Sequence, residues 1–121
     1  MGKAANSSIS LKQIHVTDNF WNKYVHLVKD VIIPYQWDIL NDKLEDVETS
    51  HCIENFKIAA GEKEGEFQGA VFQDTDVAKW LEAVGFVLNY ERDEKLEELA
   101  DETIELIGRA QQPDGYLNTY F

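Results

Sequence analysis

Asp74 and Asp76 stand at the head of Val77-Ala78-Lys79-Trp80-Leu81-Glu82, a run that holds a base, an indole and a third carboxylate. Glycoside cleavage uses such a set: carboxyl groups flank the scissile bond, and an aromatic face covers the apolar side of a sugar. The same aspartates also fit a plainer duty, as caps on the first amides of a helix. A second constellation is Tyr35-Gln36-Trp37, directly after Pro34. A glutamine amide donates and accepts, which suits hydroxyls, and its aromatic neighbours offer either stacking surface or core volume. Asp114-Gly115-Tyr116 is a third, a turn signal first and a ligand-facing loop second.

Other chemistries lack their residues. His15, His26 and His51 form no i, i+4 pair and have no cysteine at ligand spacing, so each reads as structural or solvent-facing. Cys52 is the one cysteine, which excludes an internal disulfide framework. Its neighbour His51 makes no dyad with it, because adjacent side chains on one backbone seldom aim at each other. Gly61, Gly65 and Gly69 match neither phosphate-binding fingerprint and mark an exposed, mobile loop. No catalytic residue and no metal ligand is assigned within this chain.

The composition narrows the class. In 121 residues, 44% hydrophobic and 12% aromatic content excludes disorder and suffices for one small core. With 11 basic against 23 acidic side chains the formal charge is −12, which argues against nucleic acid and anionic membranes as partners. No apolar run is long enough to cross a bilayer. The polar start, Met1 to Ser8, leads into no apolar segment, so the expectation is a soluble, cytoplasmic chain. Residues 1–8 are expected to be disordered and 9–121 to form the ordered part.

The elements that must position these groups read as helices. Ile9, Leu11, Ile14 and Val16 alternate weakly, giving a short strand or an extended arm. Thr17-Asp18-Asn19 offers capping oxygens to a helix running from about Asn19 to Asp42, with a kink or break near Asp30–Ile33 imposed by Pro34. A short helix is expected over Cys52–Ala60, with Gly61 just past its end. The next helix, about Val77 to Tyr90, is apolar nearly all round and therefore reads as an inner helix. After a turn at Arg92-Asp93, the last helix runs from Asp93 as N-cap to about Gln112. It has one apolar stripe, Leu96, Leu99, Ala100, Thr103, Leu106, Ile107 and Ala110, and a glutamate-rich outer face. Pro113 stops it. An inner helix paired with an outer one is the unit of a double-layered helical toroid, so the expected class is all-α, with three main helices.

Five segments in order carry a resemblance. They are Phe20-Trp21, then Val31-Ile32-Ile33-Pro34-Tyr35-Gln36-Trp37, then Asn55-Phe56 with Ala59-Ala60-Gly61. Next comes Phe67-x-Gly69-x-x-Phe72-x-Asp74-x-Asp76-Val77-x-Lys79-Trp80-Leu81-Glu82-Ala83, and last Ala110-Gln111-x-x-Asp114-Gly115-Tyr116-Leu117-Asn118-Thr119. From about Leu11 onward the chain resembles the N-terminal part of the family 127 glycoside hydrolases, the β-L-arabinofuranosidases. The resemblance implies part of an (α/α)6 barrel, followed in complete enzymes by β-sandwich domains, and hydrolysis of β-L-arabinofuranosides with retention. It also implies a zinc-bound cysteine nucleophile, further cysteine and glutamate ligands and a glutamate acid/base, none of which falls on a matched position here. Cys52 matches none of them, so no cofactor is assigned to this chain.

The substrate-binding residues expected on this basis are Gln36, Trp80, Asp76, Asp114 and Tyr116. Gln36 alone inherits a sugar contact; the others match motif positions that shape a cleft. The expected partner is an arabinofuranoside-type carbohydrate bound by a complete enzyme. This chain reads as the opening quarter of such an enzyme, a truncated or interrupted product, inactive alone and prone to self-association through uncovered apolar helix faces. Trp80 and Leu81 in particular are expected to need neighbours that the chain does not encode. Two alternatives stay open: a stand-alone acidic helical interaction module without catalysis, and a related toroid acting on another sugar.

Overall fold

The computed structural model describes residues 8–121. Five α-helices occur among them: α1 (Asn19–Leu27), α2 (Ile33–Leu40), α3 (Cys52–Ala59), α4 (Asp74–Tyr90) and α5 (Glu94–Ala110). No strand is present among the described residues. The expected disorder of residues 1–8 lies outside them, apart from Ser8, which is exposed and irregular.

The strand-or-arm alternative resolves to the arm. A single 3₁₀ turn, Leu11–Gln13, opens on Ser10, and the chain then runs extended to Asp18. The Tyr90 hydroxyl accepts the Val16 amide at 3.1 Å, tying this arm to the end of α4. Asp18 caps α1, its carboxylate accepting the Trp21 amide at 2.8 Å.

The kink expected from Pro34 takes a specific form, a π-helical turn, Val28–Ile32, joining α1 to α2. The Ile33 amide reaches back to the Val28 carbonyl, one residue further than an α-helix allows. Pro34 then sits in the first turn of α2, where its missing N–H costs least. The widened turn lets the chain pass the proline while remaining helical.

α4 and α5 form the antiparallel hairpin read from the sequence. Asp93 caps α5 by accepting the Leu96 amide at 3.1 Å, and Arg109 lies in its last turn, where the helix dipole favours a cation. The core joins Ile33 and Leu40 of α2, Cys52, Ile53 and Phe56 of α3, Val77, Trp80 and Val84 of α4, and Ala100, Leu106 and Ala110 of α5. Thr103 is buried among them, its hydroxyl donating to the Leu99 carbonyl at 2.7 Å.

One expectation is corrected here. Trp80 is 2% exposed and is covered by this chain's own α2, while Leu81 is half-buried against the same core. The uncovered apolar surface lies elsewhere: Phe20, Trp21, Tyr24, Val31 and Tyr35 on α1, the π turn and α2, and Phe86 on α4. The hydrophobic pattern of α4 measures apolar content all round, but only the Val77/Trp80/Val84 stripe is enclosed.

Candidate functional site

A cleft of about 1090 Å³ opens beside the N-terminal half of α4. Its walls are the exposed side of α2 at Gln36, the segment Glu48–His51, the loop Gln68–Gln73, and Asp76, Lys79 and Trp80 of α4. Three of the five expected residues, Gln36, Asp76 and Trp80, therefore share one cavity. Asp76 and Trp80 are one turn apart on α4, but Gln36 lies 40 or more positions before them, so only the packing of α2 on α4 could unite the three.

That packing centres on Trp80. Its ring lies 4.5 Å from that of Trp37, tilted by 32°. Its indole N–H donates to the Ile33 carbonyl at 3.1 Å. With its donor spent and its surface nearly gone, Trp80 builds the floor and has little face left for a sugar. Asp76 is half-buried and has Lys79 Nζ at 3.4 Å, an exposed and weakly coupled pair. Gln36 is exposed to the cleft on α2.

Asp114 and Tyr116 stand apart from the cleft. The Asp114 carboxylate accepts the Tyr116 amide at 3.0 Å, a local turn that Gln111 reinforces by donating to the Gly115 carbonyl at 2.8 Å. Asp74 is not a cap either. α4 begins at Asp74 itself, and its carboxylate instead accepts the Thr119 amide at 2.8 Å and the Thr119 hydroxyl at 2.6 Å. This latch folds the C-terminal segment back over the start of α4, where Tyr120 meets Phe67 edge to face at 5.0 Å.

The loop wall is pinned rather than loose at its cleft end. Asn55, 2% exposed, donates to the Gln68 carbonyl at 2.8 Å and accepts the Gln68 amide at 3.0 Å, so one side chain substitutes for a strand partner. Gln73 turns back to accept the Ala70 amide at 3.1 Å. Gly69 has φ +95°, a backbone region that favours glycine, and a Cβ there would displace the Gln73 side-chain oxygen that accepts the Ala70 amide.

The opposite wall rests on Asp42, which sequence reading missed. Its carboxylate accepts the Ser50 amide at 2.6 Å and the His51 amide at 3.0 Å, holding the entry to α3. Cys52 follows at 0% exposure, its thiol donating to the Gln73 carbonyl at 2.9 Å. Burial pushes that thiol up to about 12, helped by the nearby Asp74, Asp76 and Asp42 charges and opposed by the Val77 amide. A thiol in that state is no nucleophile at neutral pH. Among the described residues no group of three histidine, cysteine, aspartate or glutamate side chains is arranged to hold a metal.

Comparison with known proteins gives the chain a family. The family model for the β-L-arabinofuranosidase GH127 catalytic domain matches residues 13–121. A non-reducing end β-L-arabinofuranosidase from Bifidobacterium longum subsp. longum is 42% identical over 118 residues, covering 88% of this chain and 18% of its own length. A crystal structure of a GH127 β-L-arabinofuranosidase from Geobacillus stearothermophilus T6 superposes with a TM-score of 0.85 at 63% identity, covering 88% of this chain and 17% of that one. A second GH127 β-arabinofuranosidase structure gives 0.78 at 31% identity, with 92% and 17% covered. The chain thus spans less than a fifth of the length of each relative.

Proposed function

Because the chain belongs to glycoside hydrolase family 127, with residues 13–121 matching its catalytic domain, we propose that it forms the opening helices of an (α/α)6 domain that hydrolyses β-L-arabinofuranosides with retention. Its own share is substrate recognition. The observation that carries this reading is the joint placement of Gln36 and Asp76 on one open cleft floored by Trp80, against which Trp37 packs. Furanose hydroxyls need partners that donate and accept, and a neutral amide beside a carboxylate provides both.

Bond cleavage is assigned to no residue of this chain. Zinc, implied for complete enzymes of the family, would hold a cysteine as its thiolate; Cys52, buried and shifted the opposite way, is not proposed for that role. The stand-alone acidic module is the weaker reading, since family membership and a built cleft both need explaining under it.

Two measurements test the proposal. Incubated alone with 4-nitrophenyl β-L-arabinofuranoside, the chain is expected to give no turnover; chelator-sensitive turnover would overturn the division of labour. Titration of the ¹⁵N-labelled chain with methyl β-L-arabinofuranoside is expected to shift the amides of Gln36 and Asp76. Shifts scattered away from the cleft would overturn recognition there.

A further inference from the structure

Two residues other than glycine adopt the left-handed backbone region among those described, Asp42 at φ 55° and His51 at φ 56°, and they touch each other. A branched or bulky side chain in that region costs free energy, and such outliers persist where surrounding structure holds them. Here the hold is explicit. Both Asp42 oxygens lie 3.0 Å from the His51 amide, one of them also takes the Ser50 amide, and Asp42 Oδ2 stands 3.7 Å from His51 Nδ1. That last distance is too long for a hydrogen bond. Nε2, on the far edge of the ring, makes no hydrogen bond among the described residues, and His51 lines the same cleft as Gln36, Gln68 and Asp76.

We propose that His51 is a third sugar-hydroxyl ligand of this cleft, beside Gln36 and Asp76, presented by its left-handed backbone and held in place by Asp42. The inference rests on the carbohydrate reading above and extends it to a residue that sequence reasoning treated as structural. A purely structural role predicts the opposite preference, because glycine enters the left-handed region without strain and would serve the start of α3 at least as well.

His51→Gly separates the two. Its melting temperature is expected to equal or exceed that of the wild-type chain, while its Kd for methyl β-L-arabinofuranoside rises at least about five-fold, the loss of one good hydrogen bond. His51→Gln, which keeps a side-chain donor and acceptor, is expected to recover part of that affinity. Should the glycine variant unfold, His51→Asn, which tolerates the same backbone region, provides the comparison. Equal sugar affinity in wild type and folded His51 variants would overturn the assignment and leave the carbohydrate reading intact. Absence of any cleft shift in the wild-type titration would overturn both.

Discussion

Trp80 uses its N–H on Ile33 and its face on Trp37, so Trp80→Phe removes a buried hydrogen bond and leaves space in the floor of the cleft. The expected cost is about 2 kcal/mol in urea unfolding, and a stability within error of wild type would show that the stack is dispensable. Cys52 should resist a thiol reagent such as dithiobisnitrobenzoate at pH 7 in the native chain and react promptly in denaturant, since both its burial and its raised pKa suppress the thiolate. Gln36 and Asp76 were readable through the motifs that carry the family resemblance, Tyr35-Gln36 and Asp74-x-Asp76, whereas their side chains alone fit core packing or helix capping equally well. Asp114 and Tyr116 were not separable from them, because a turn that closes on itself and a turn that faces a ligand use the same residue types. Asp42 left no local signal at all: its partners lie eight and nine residues on, and only the folded chain brings them together.

Helix ends were more legible than helix junctions. Asp18 and Asp93 cap as their spacing suggests, and Asp93→Ala should destabilise by about 1 kcal/mol, with the loss of α5 signal in far-ultraviolet circular dichroism tracking the rest of the fold. The π turn was readable only as a defect, since Pro34 announces that one hydrogen bond is missing without saying how the backbone absorbs the loss. An ion pair fastens this turn to the α4–α5 corner: Lys29 Nζ lies 2.8 Å from Glu91 and 3.9 Å from Asp93. The Lys29 hydrogen bond holds the Glu91 carboxyl below its ordinary 4.5, and the same bond raises Lys29 above its ordinary 10.5. The glutamate's contribution is therefore present above pH 4.5 and fades as pH falls through its depressed value; the lysine's persists at neutral pH and fades only above 10.5. Wild type and Glu91→Gln should accordingly differ in melting temperature at pH 7 and converge only in acid, once pH has fallen through the depressed Glu91 value. A gap of constant size across that range would remove the pair from any role in stability.

Over the whole chain, burial and charge pull in opposite directions. An apolar groove lined by Val16, Trp21, Tyr24, Val28, Phe86 and Tyr90 lies open between α1 and α4, beside the exposed Phe20. Such a surface favours pairing of copies, whereas a formal charge of −12 opposes it. Sedimentation at tens of micromolar should give a mass near 13.9 kDa in dilute buffer and a heavier species as salt shortens the screening length. A mass that ignores salt would count against an electrostatic brake. The apolar character of α4 was legible from sequence, but which of its sides is enclosed depends on where α2 and α3 land, and no periodicity encodes that. The π turn adds one further consequence. Each residue advances a helix by about 100°, so excising a single position between Val28 and Ile32 would swing Phe20, Trp21 and Tyr24 roughly that far around their axis, moving the aromatic trio to another flank of the molecule.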